Sequence, residues 1–382
     1  MRSLAILMSL VLAACATTPP TSPAAAPSPT DALPPARALD LPRQKIPVTI
    51  PADSAPAALA AFLASCPRIT WRMDRSGLVL PSDWQAVCRD AETATDAVAF
   101  FTDNFEAVLL GADGEGFATG YFEPEIRASR TRAPGYDVPL YRRPSDLVDI
   151  DLGDFREEWQ GRTLRGRLEG RRIVPYYSRA PITEGALAGK NLELAWAADP
   201  NDAFFLEIQG SGRLRLPDGQ TMRIGYDSQN GRDYVPIGRV LADMGELPRD
   251  GISMQSIRAW LDANPDKAEQ VRNANPSTVF FRELTGLSRN DGPRGALNIP
   301  VIPQISVAVD PAFIPYGTPL IATLEGGSPR LHVAMDTGGA IKGPGRLDIF
   351  QGTGKQAGEA AGKLATKARV ILLIPRRASA RL

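Results

Sequence analysis

The chain has 382 residues, in which 43 basic and 43 acidic side chains cancel, with one histidine and three cysteines. This length exceeds most single cores and predicts two domains, while the balanced charge, with no long basic run, argues against a nucleic-acid partner. One histidine and three cysteines leave no zinc or iron–sulfur ligand set, so neither a metal nor another cofactor is expected.

Residues 1–15 place one Arg before an apolar run from Leu4 to Leu12 and a small-residue close, the layout of an export signal. The run is shorter than the ~20 apolar residues that a membrane span takes. Its end, LAAC, has the form of a bacterial lipobox whose cysteine, Cys15, would be diacylated; an ordinary signal with a coincidental cysteine is the alternative. Residues 16–56 open as a Pro/Ala/Ser tract suited to a tether. At ~3.1 Å per residue its twenty-odd leading residues would reach roughly 70 Å from a membrane. Ala16 in place of an aspartate after the cysteine points to the outer membrane, with the protein facing the periplasm of a Gram-negative cell. In an exported chain the remaining pair, Cys66 and Cys88, most simply forms a disulfide, with two buried thiols as the alternative.

From Ala57 the composition is globular. Ala58–Leu63 and Gln85–Phe105 carry helical spacing of apolar residues. Gly116–Arg130, GFATGYFEPEIRASR, alternates as a strand that Pro124 ends or confines to an edge. Pro217-Asp218-Gly219 lies between two alternating runs and predicts a hairpin. Ile257, Trp260 and Leu261 share a helical face behind a Ser253 N-cap, interrupted at Pro265. Strand-like runs follow at 305–309, 319–323, 331–335, 347–350 and 370–374. The class is mainly β with a few helices.

Several chemistries fail on their own motifs. Gly338–Gly343 has the spacing of a phosphate loop, but Pro344 occupies the lysine position. GTGKQAG, Gly352–Gly358, has no acidic residue about 20 positions later to hold a ribose. A serine nucleophile would need His332 as base and has no GxSxG elbow, so His332 reads as a structural residue beside a strand. What remains is carboxylate chemistry of the glycosidase kind. Asp336 and Asp348 close and open apolar strands across a glycine-rich bend, and a turn would bring both to one rim. Turn-capping is an equal reading from spacing alone, and it extends to Asp310.

The runs SVAVDPAFIPYGTPL (Ser306–Leu320) and HVAMDTGGAIKGPGRLDIFQGTG (His332–Gly354) resemble the three-aspartate domain of the membrane-bound lytic murein transglycosylase A family. TGYFEP (119–124), FFLEIQGSGRLRLPDG (204–219), GYDSQNGRDYVPIGR (225–239), SMQSIRAWL (253–261) and NPSTVFFRE (275–283) agree in order, so the resemblance covers Ala57 to Pro375. It implies a double-psi β-barrel built from residues 57–123, which include a helical entry segment, and 297–382. A second β-domain, 124–296, would be inserted between them, with a groove separating the two. It further implies a non-hydrolytic cut of the MurNAc–GlcNAc bond of peptidoglycan that leaves 1,6-anhydromuramic acid ends. Asp348 matches the catalytic aspartate and Asp336 a supporting one, with Asp310 structural. For the groove, Thr119, Tyr121, Gln209, Gly210, Ser211 and Gly212 suit the acetamido and hydroxyl groups of a glycan. Gly338 and Gly339 would allow close approach of sugar rings, and Lys342 a carboxylate contact. Expected partners are peptidoglycan strands, a membrane through lipid on Cys15, and proteins of cell-wall synthesis or division. A glycoside hydrolase using Asp336 as base, and a non-catalytic peptidoglycan-binding lipoprotein, are the competing readings. Phe280, Phe281 and Trp260 read as core.

Overall fold

A computed structural model describes residues 38–111, 113–159 and 162–382. The export signal, Cys15 and the first part of the tether, up to residue 37, lie outside the described residues. The rest of the expected tether belongs to the fold. Ala38 is fully buried, its amide on the Ala312 carbonyl at 3.2 Å, and β1 (Arg43–Lys45) pairs antiparallel with β2 (Phe105–Leu110). Ahead of β2 come α1 (Ala55–Ile69), α2 (Pro81–Thr93) and α3 (Ala97–Asn104). The single helical stretch expected over 85–105 is thus two helices. Ala94 turns extended, and Asp96 Oδ1 accepts the amides of Val98 and Ala99 at 2.9 and 3.0 Å, restarting the helix as an N-cap. A disulfide joins Cys66 on α1 to Cys88 on α2, beside a core of Phe62, Trp84, Phe100 and Phe105.

β3 (Glu115–Glu123) ends at Pro124, which has no amide proton to extend the ladder, and β4 (Glu125–Ser129) starts at once in another sheet. That second body continues through β5 (Val138–Tyr141), β6 (Val148–Asp151), β7 (Thr163–Glu169), β8 (Arg172–Pro175), α4 (Arg179–Thr183), β9 (Glu193–Ala197) and α5 (Pro200–Gln209). It closes with β10 (Ser211–Arg215), β11 (Thr221–Gln229), α6 (Ile237–Asp243), α7 (Met254–Ala263), α8 (Pro265–Asn273) and β12 (Val279–Glu283). Its six-stranded sheet runs β12-β11-β10-β4-β9-β5, and β6-β7-β8 form a small separate sheet. The hairpin at Pro217–Gly219 is β10–β11. The apolar run before it, Ala203–Gln209, belongs instead to α5, capped by Asp199. Ser253 caps α7, and Pro265 opens α8. Phe280, Phe281 and Trp260 are core residues.

The chain then returns with β13 (Ser306–Ala308), β14 (Pro319–Leu324), β15 (Arg330–Asp336), β16 (Arg346–Thr353), α9 (Gly354–Lys363) and β17 (Ala365–Pro375). Their order is β17-β14-β15-β13-β16-β3, and β17 also pairs with β3, so the ladder returns to its start. Two of the pairings, β13 with β15 and β16 with β3, are parallel. Val307, Leu320, Val333, Leu347, Ile349 and Leu372 lie in the main core. α9 lies close on β3: a Cβ on Gly120 would come within 2.7 Å of the Ala361 Cα, which explains the glycine in TGYFEP.

Where the two bodies meet, Glu123 is fully buried. Its Oε1 accepts from Arg223 Nη2 at 2.8 Å, and its Oε2 from Arg213 Nε at 2.8 Å and Thr353 Oγ1 at 3.1 Å. Arg213 also donates to the carbonyls of Arg289 and Asp291, the stretch that leads the chain back. One carboxylate therefore ties β3 and β16 to β10, β11 and the return segment. Removing a charge from such a buried cluster strands the others, at about 3 kcal/mol or more. Glu123→Gln is expected to lower the unfolding free energy by that amount, read from urea denaturation. The Cys66–Cys88 bridge closes a loop of sequence separation 22, which stabilises by roughly 3 kcal/mol through the unfolded chain. Reduction with dithiothreitol should lower the melting temperature by roughly 5 °C, read by circular dichroism.

Candidate active site

The strand register assembles the site. Asp336 on β15 is level with Ala308 on β13, Ala308 with Asp348 on β16, and Asp348 with Thr119 on β3. The two aspartates thus stand two strand spacings apart, ~10 Å between Cα atoms. Met335, Leu347 and Ile349 beside them are buried, so strand alternation turns both carboxyls to the outer wall of the barrel, where they are half-buried.

Each carboxyl is held differently. Asp348 Oδ1 accepts from Thr119 Oγ1 at 2.6 Å, and Thr119 Oγ1 in turn accepts from Arg346 Nη2 at 2.7 Å. The guanidinium only donates, so Thr119 Oγ1 accepts from Arg346 while its own proton is donated to Asp348. Oδ2 of Asp348 has no partner among the described residues. Asp336 is saturated: Oδ1 accepts the amides of Ala296 (3.0 Å) and Thr337 (2.9 Å), and Oδ2 the Tyr121 hydroxyl (3.0 Å). Burial raises Asp348 to about 6, opposed by the Thr119 bond and the Arg346 charge. Burial also raises Asp336 to about 6, against its three donors, with the Asp348 charge adding to the rise. The same burial, together with Asp336, pushes the Tyr121 hydroxyl well above its usual range. His332 is buried within β15, where burial lowers it to about 4; it stays neutral at pH 7.

The expected groove residues divide. Thr119 and Tyr121, expected to face the glycan, bond to the two carboxyls, and the Tyr121 ring packs on Phe350 at 5.1 Å. Gln209 Oε1 accepts the Phe122 amide at 3.1 Å, joining α5 to β3. Gly210 ends α5 in the left-handed region at φ 75°. Ser211 and Gly212 are buried, and a Cβ on Gly212 would lie 2.2 Å from Leu206 Cδ1, so packing rather than a ligand accounts for this glycine. Gly338 is half-buried, while Gly339 and Lys342 are exposed on the loop joining β15 to β16. Asp310 is buried and accepts the amides of Ala312 at 3.1 Å and Gly343 at 3.0 Å, fastening that loop. Sequence reasoning missed Arg346 and the Ala296 amide. Arg346 precedes Asp348 by two, the strand spacing that puts both on one face, and this was the available signal; a backbone amide leaves none.

This arrangement agrees with the three-aspartate-domain class that the sequence resembles, and the family match bears it out. Residues 117–282 match the MltA specific insert domain, and residues 305–374 match the 3D domain. The chain is similar to the crystal structure of a membrane-bound lytic murein transglycosylase from Agrobacterium tumefaciens at 33% identity, covering 89% of this chain and 99% of that one with a TM-score of 0.79. MltA from Neisseria gonorrhoeae, in a monoclinic crystal, is 34% identical over 87% of this chain and 92% of that one, with a TM-score of 0.73. Escherichia coli MltA with bound chitohexaose is 30% identical over 87% and 94%, with a TM-score of 0.65. Membrane-bound lytic murein transglycosylase A of E. coli K12 is 36% identical over 268 residues, 66% of this chain and 65% of that relative's length. The chain belongs to the membrane-bound lytic murein transglycosylase A family.

Both aspartates hold protons more tightly folded than the ordinary value of 3.8. The folded state therefore binds extra protons between pH 4 and 6, and stability falls as pH rises through that window. Asp348→Asn removes one of these groups, so the variant should melt above the parent at pH 7 and level with it near pH 4, by calorimetry at both values.

Proposed function

We propose that the chain is a peptidoglycan lytic transglycosylase in which Asp348 is the only acid/base. The observation that carries this is the asymmetry of the carboxyls: Asp348 keeps Oδ2 free, while both oxygens of Asp336 are occupied; burial raises both to about 6. With Oδ1 facing the Thr119 hydroxyl, a proton on Asp348 resides on Oδ2, available to the oxygen between N-acetylmuramic acid and N-acetylglucosamine. As that bond breaks, the carboxylate takes the proton of the muramoyl C6 hydroxyl, which attacks C1 and closes the 1,6-anhydro ring. The nucleophile is tethered to its target, and such attack carries effective molarities of ~10⁵ M or more. Asp336, beside it, adds negative charge for the oxocarbenium-like state. An inverting hydrolase would need a second carboxylate free to activate water, and the three donors on Asp336 disfavour that role. A purely binding lipoprotein would have no use for a carboxyl kept protonated near pH 6.

The chitohexaose bound to the E. coli relative is a β-1,4-linked N-acetylglucosamine oligomer, which supports a peptidoglycan strand as substrate here. The membrane-bound relatives support membrane attachment. In our reading it runs through lipid on Cys15 to the periplasmic face of the outer membrane, within reach of wall-synthesis or division proteins. No helix among the described residues is long and apolar enough to cross a membrane.

The test is mass spectrometry of muropeptides released from purified sacculi by the protein and by Asp348→Asn. Products one water lighter than hydrolysis products, reduced at least ~10³-fold in the variant, are expected; reducing-end products would overturn the reading. Because the acid must be protonated, kcat/KM should fall as pH rises above about 6. Thr119→Val removes a bond that favours the carboxylate, so it should move that fall to higher pH in the same assay.

A further inference from the structure

We propose that Phe117 on β3 is a stacking platform for the sugar ring next to the one on which Asp348 acts, and so sets how tightly the glycan is held. This deepens the peptidoglycan reading above and rests on it.

The residues on one face of β3 grade from buried to open. Glu123 is fully buried where the two bodies meet and Tyr121 is 9% exposed, whereas Thr119 is half-buried and Phe117 is 44% exposed. The opposite face packs inward, with Ala118 fully buried and Gly120 against α9. Thr119 is level with Asp348 and Phe117 with Arg346. Phe117 therefore stands on the same face as the Thr119–Asp348 pair, one row further from Pro124, ~7 Å away between Cα atoms. A pyranose ring has a similar length. An aromatic side chain that alternation keeps out of the core is thus placed where the ring beside the reacting one would lie.

Its neighbours suit a sugar. Arg346 of β16 flanks Phe117 on one side and Lys367 of β17 on the other. Arg346 Nη1 donates to the Phe117 carbonyl at 3.3 Å, and the guanidinium lies 5.7 Å from the ring centroid. Its Nη2 donates to Thr119 Oγ1, so the ring and Asp348 are tied to one side chain. Lys367 and Ala365 are exposed, and Ala365, level with Thr119, has only a methyl group to set beside it. β-1,4-linked N-acetylglucosamine and N-acetylmuramic acid carry their substituents around the equator of the ring, which leaves C–H bonds alone on both faces. Such a face packs on an aromatic ring, whose electron-rich surface attracts the weakly positive hydrogens. Hydroxyl and acetamido oxygens at the rim can accept from the Lys367 ammonium.

The test measures binding of chitohexaose, a neutral oligomer without carboxylates, to the Asp348→Asn protein by calorimetry, with Phe117 varied in that background. Phe117→Ala and Phe117→Leu should each weaken binding about ten-fold, and Phe117→Trp should keep it. With Asp348 in place, Phe117→Ala should lower kcat/KM on sacculi by the same factor at every pH and leave the fall above about pH 6 where it was. Unchanged binding in Phe117→Ala would show that no sugar ring meets Phe117. Full binding by Phe117→Leu would show apolar cover rather than stacking, and a displaced pH fall would show that Phe117 acts through Arg346 on Asp348. Each of these overturns the proposal. A parent that neither binds the hexamer nor releases anhydro products from sacculi would overturn the peptidoglycan reading itself, a result that the Phe117 variants cannot imitate.

Discussion

The structure depends on one long-range pairing, the parallel ladder between β3 and β16, which sets Asp348 level with Thr119 across 229 residues. Parallel neighbours need a connection long enough to reverse the chain twice. Here that connection contains an entire second domain. β3 and β16 lie in the first sheet while the chain passes from β3 straight into the second, and this gives the fully buried Glu123 at the end of β3 its importance. Its three donors come from both bodies, so the ion cluster at the end of this nine-residue strand and the Thr119–Asp348 pairing at its middle share one element.

The proton affinity of the site follows from the same placement. On the outer wall of a barrel a carboxyl is half-enclosed by neighbouring strands and by the inserted domain, and the loss of hydration favours its neutral form. For Asp348 this outweighs one hydroxyl bond and a nearby guanidinium; for Asp336 it outweighs three donors. The like charge of the partner is the smallest contributor to Asp336 and not one of those acting on Asp348. The pair therefore does not work as two acids sharing a proton. Burial provides the proton, and the hydrogen bonds decide which oxygen carries it.

Much of this was legible in the sequence where local rules govern. The Ser253 cap, the break at Pro124, the hairpin at Pro217–Gly219 and the five C-terminal strands follow from capping, the missing amide of proline, turn chemistry and alternation. Asp336 and Asp348 were candidates at the ends of apolar strands, but turn-capping read equally well there, and the family resemblance singled them out. The sequence was misleading where a side chain's partner lies in another element. Thr119 and Tyr121 have the polarity of sugar ligands, yet their bonds go to carboxyls more than 200 residues away. Gly212 has the look of a ligand-facing glycine but is required by Leu206 and Pro124. The tether's end was misread because Pro-rich composition describes residues 16–37 and not the short β1 that follows and borrows its stability from β2.

Arg346 raises the remaining question of why a site that needs a protonated acid keeps a cation near it, since the charge opposes protonation. Its hydrogen bond provides the answer. A threonine hydroxyl rotates freely and could as easily accept a proton from Asp348 as donate one to it. Acceptance would place a carboxyl proton on Oδ1, directed at β3, and leave the unpartnered Oδ2 without one. By donating to Thr119 Oγ1, Arg346 occupies one of its two lone pairs and places positive charge beside it, which favours the arrangement in which the hydroxyl proton is donated to Asp348 Oδ1. Part of the proton affinity gained by burial is thereby given up for direction, and the balance still leaves Asp348 raised to about 6. For a reaction in which one carboxyl must first give a proton to the leaving oxygen and then take one from a hydroxyl on the same sugar, a fixed oxygen serves better than a higher affinity, because both transfers must use the same atom at the same place.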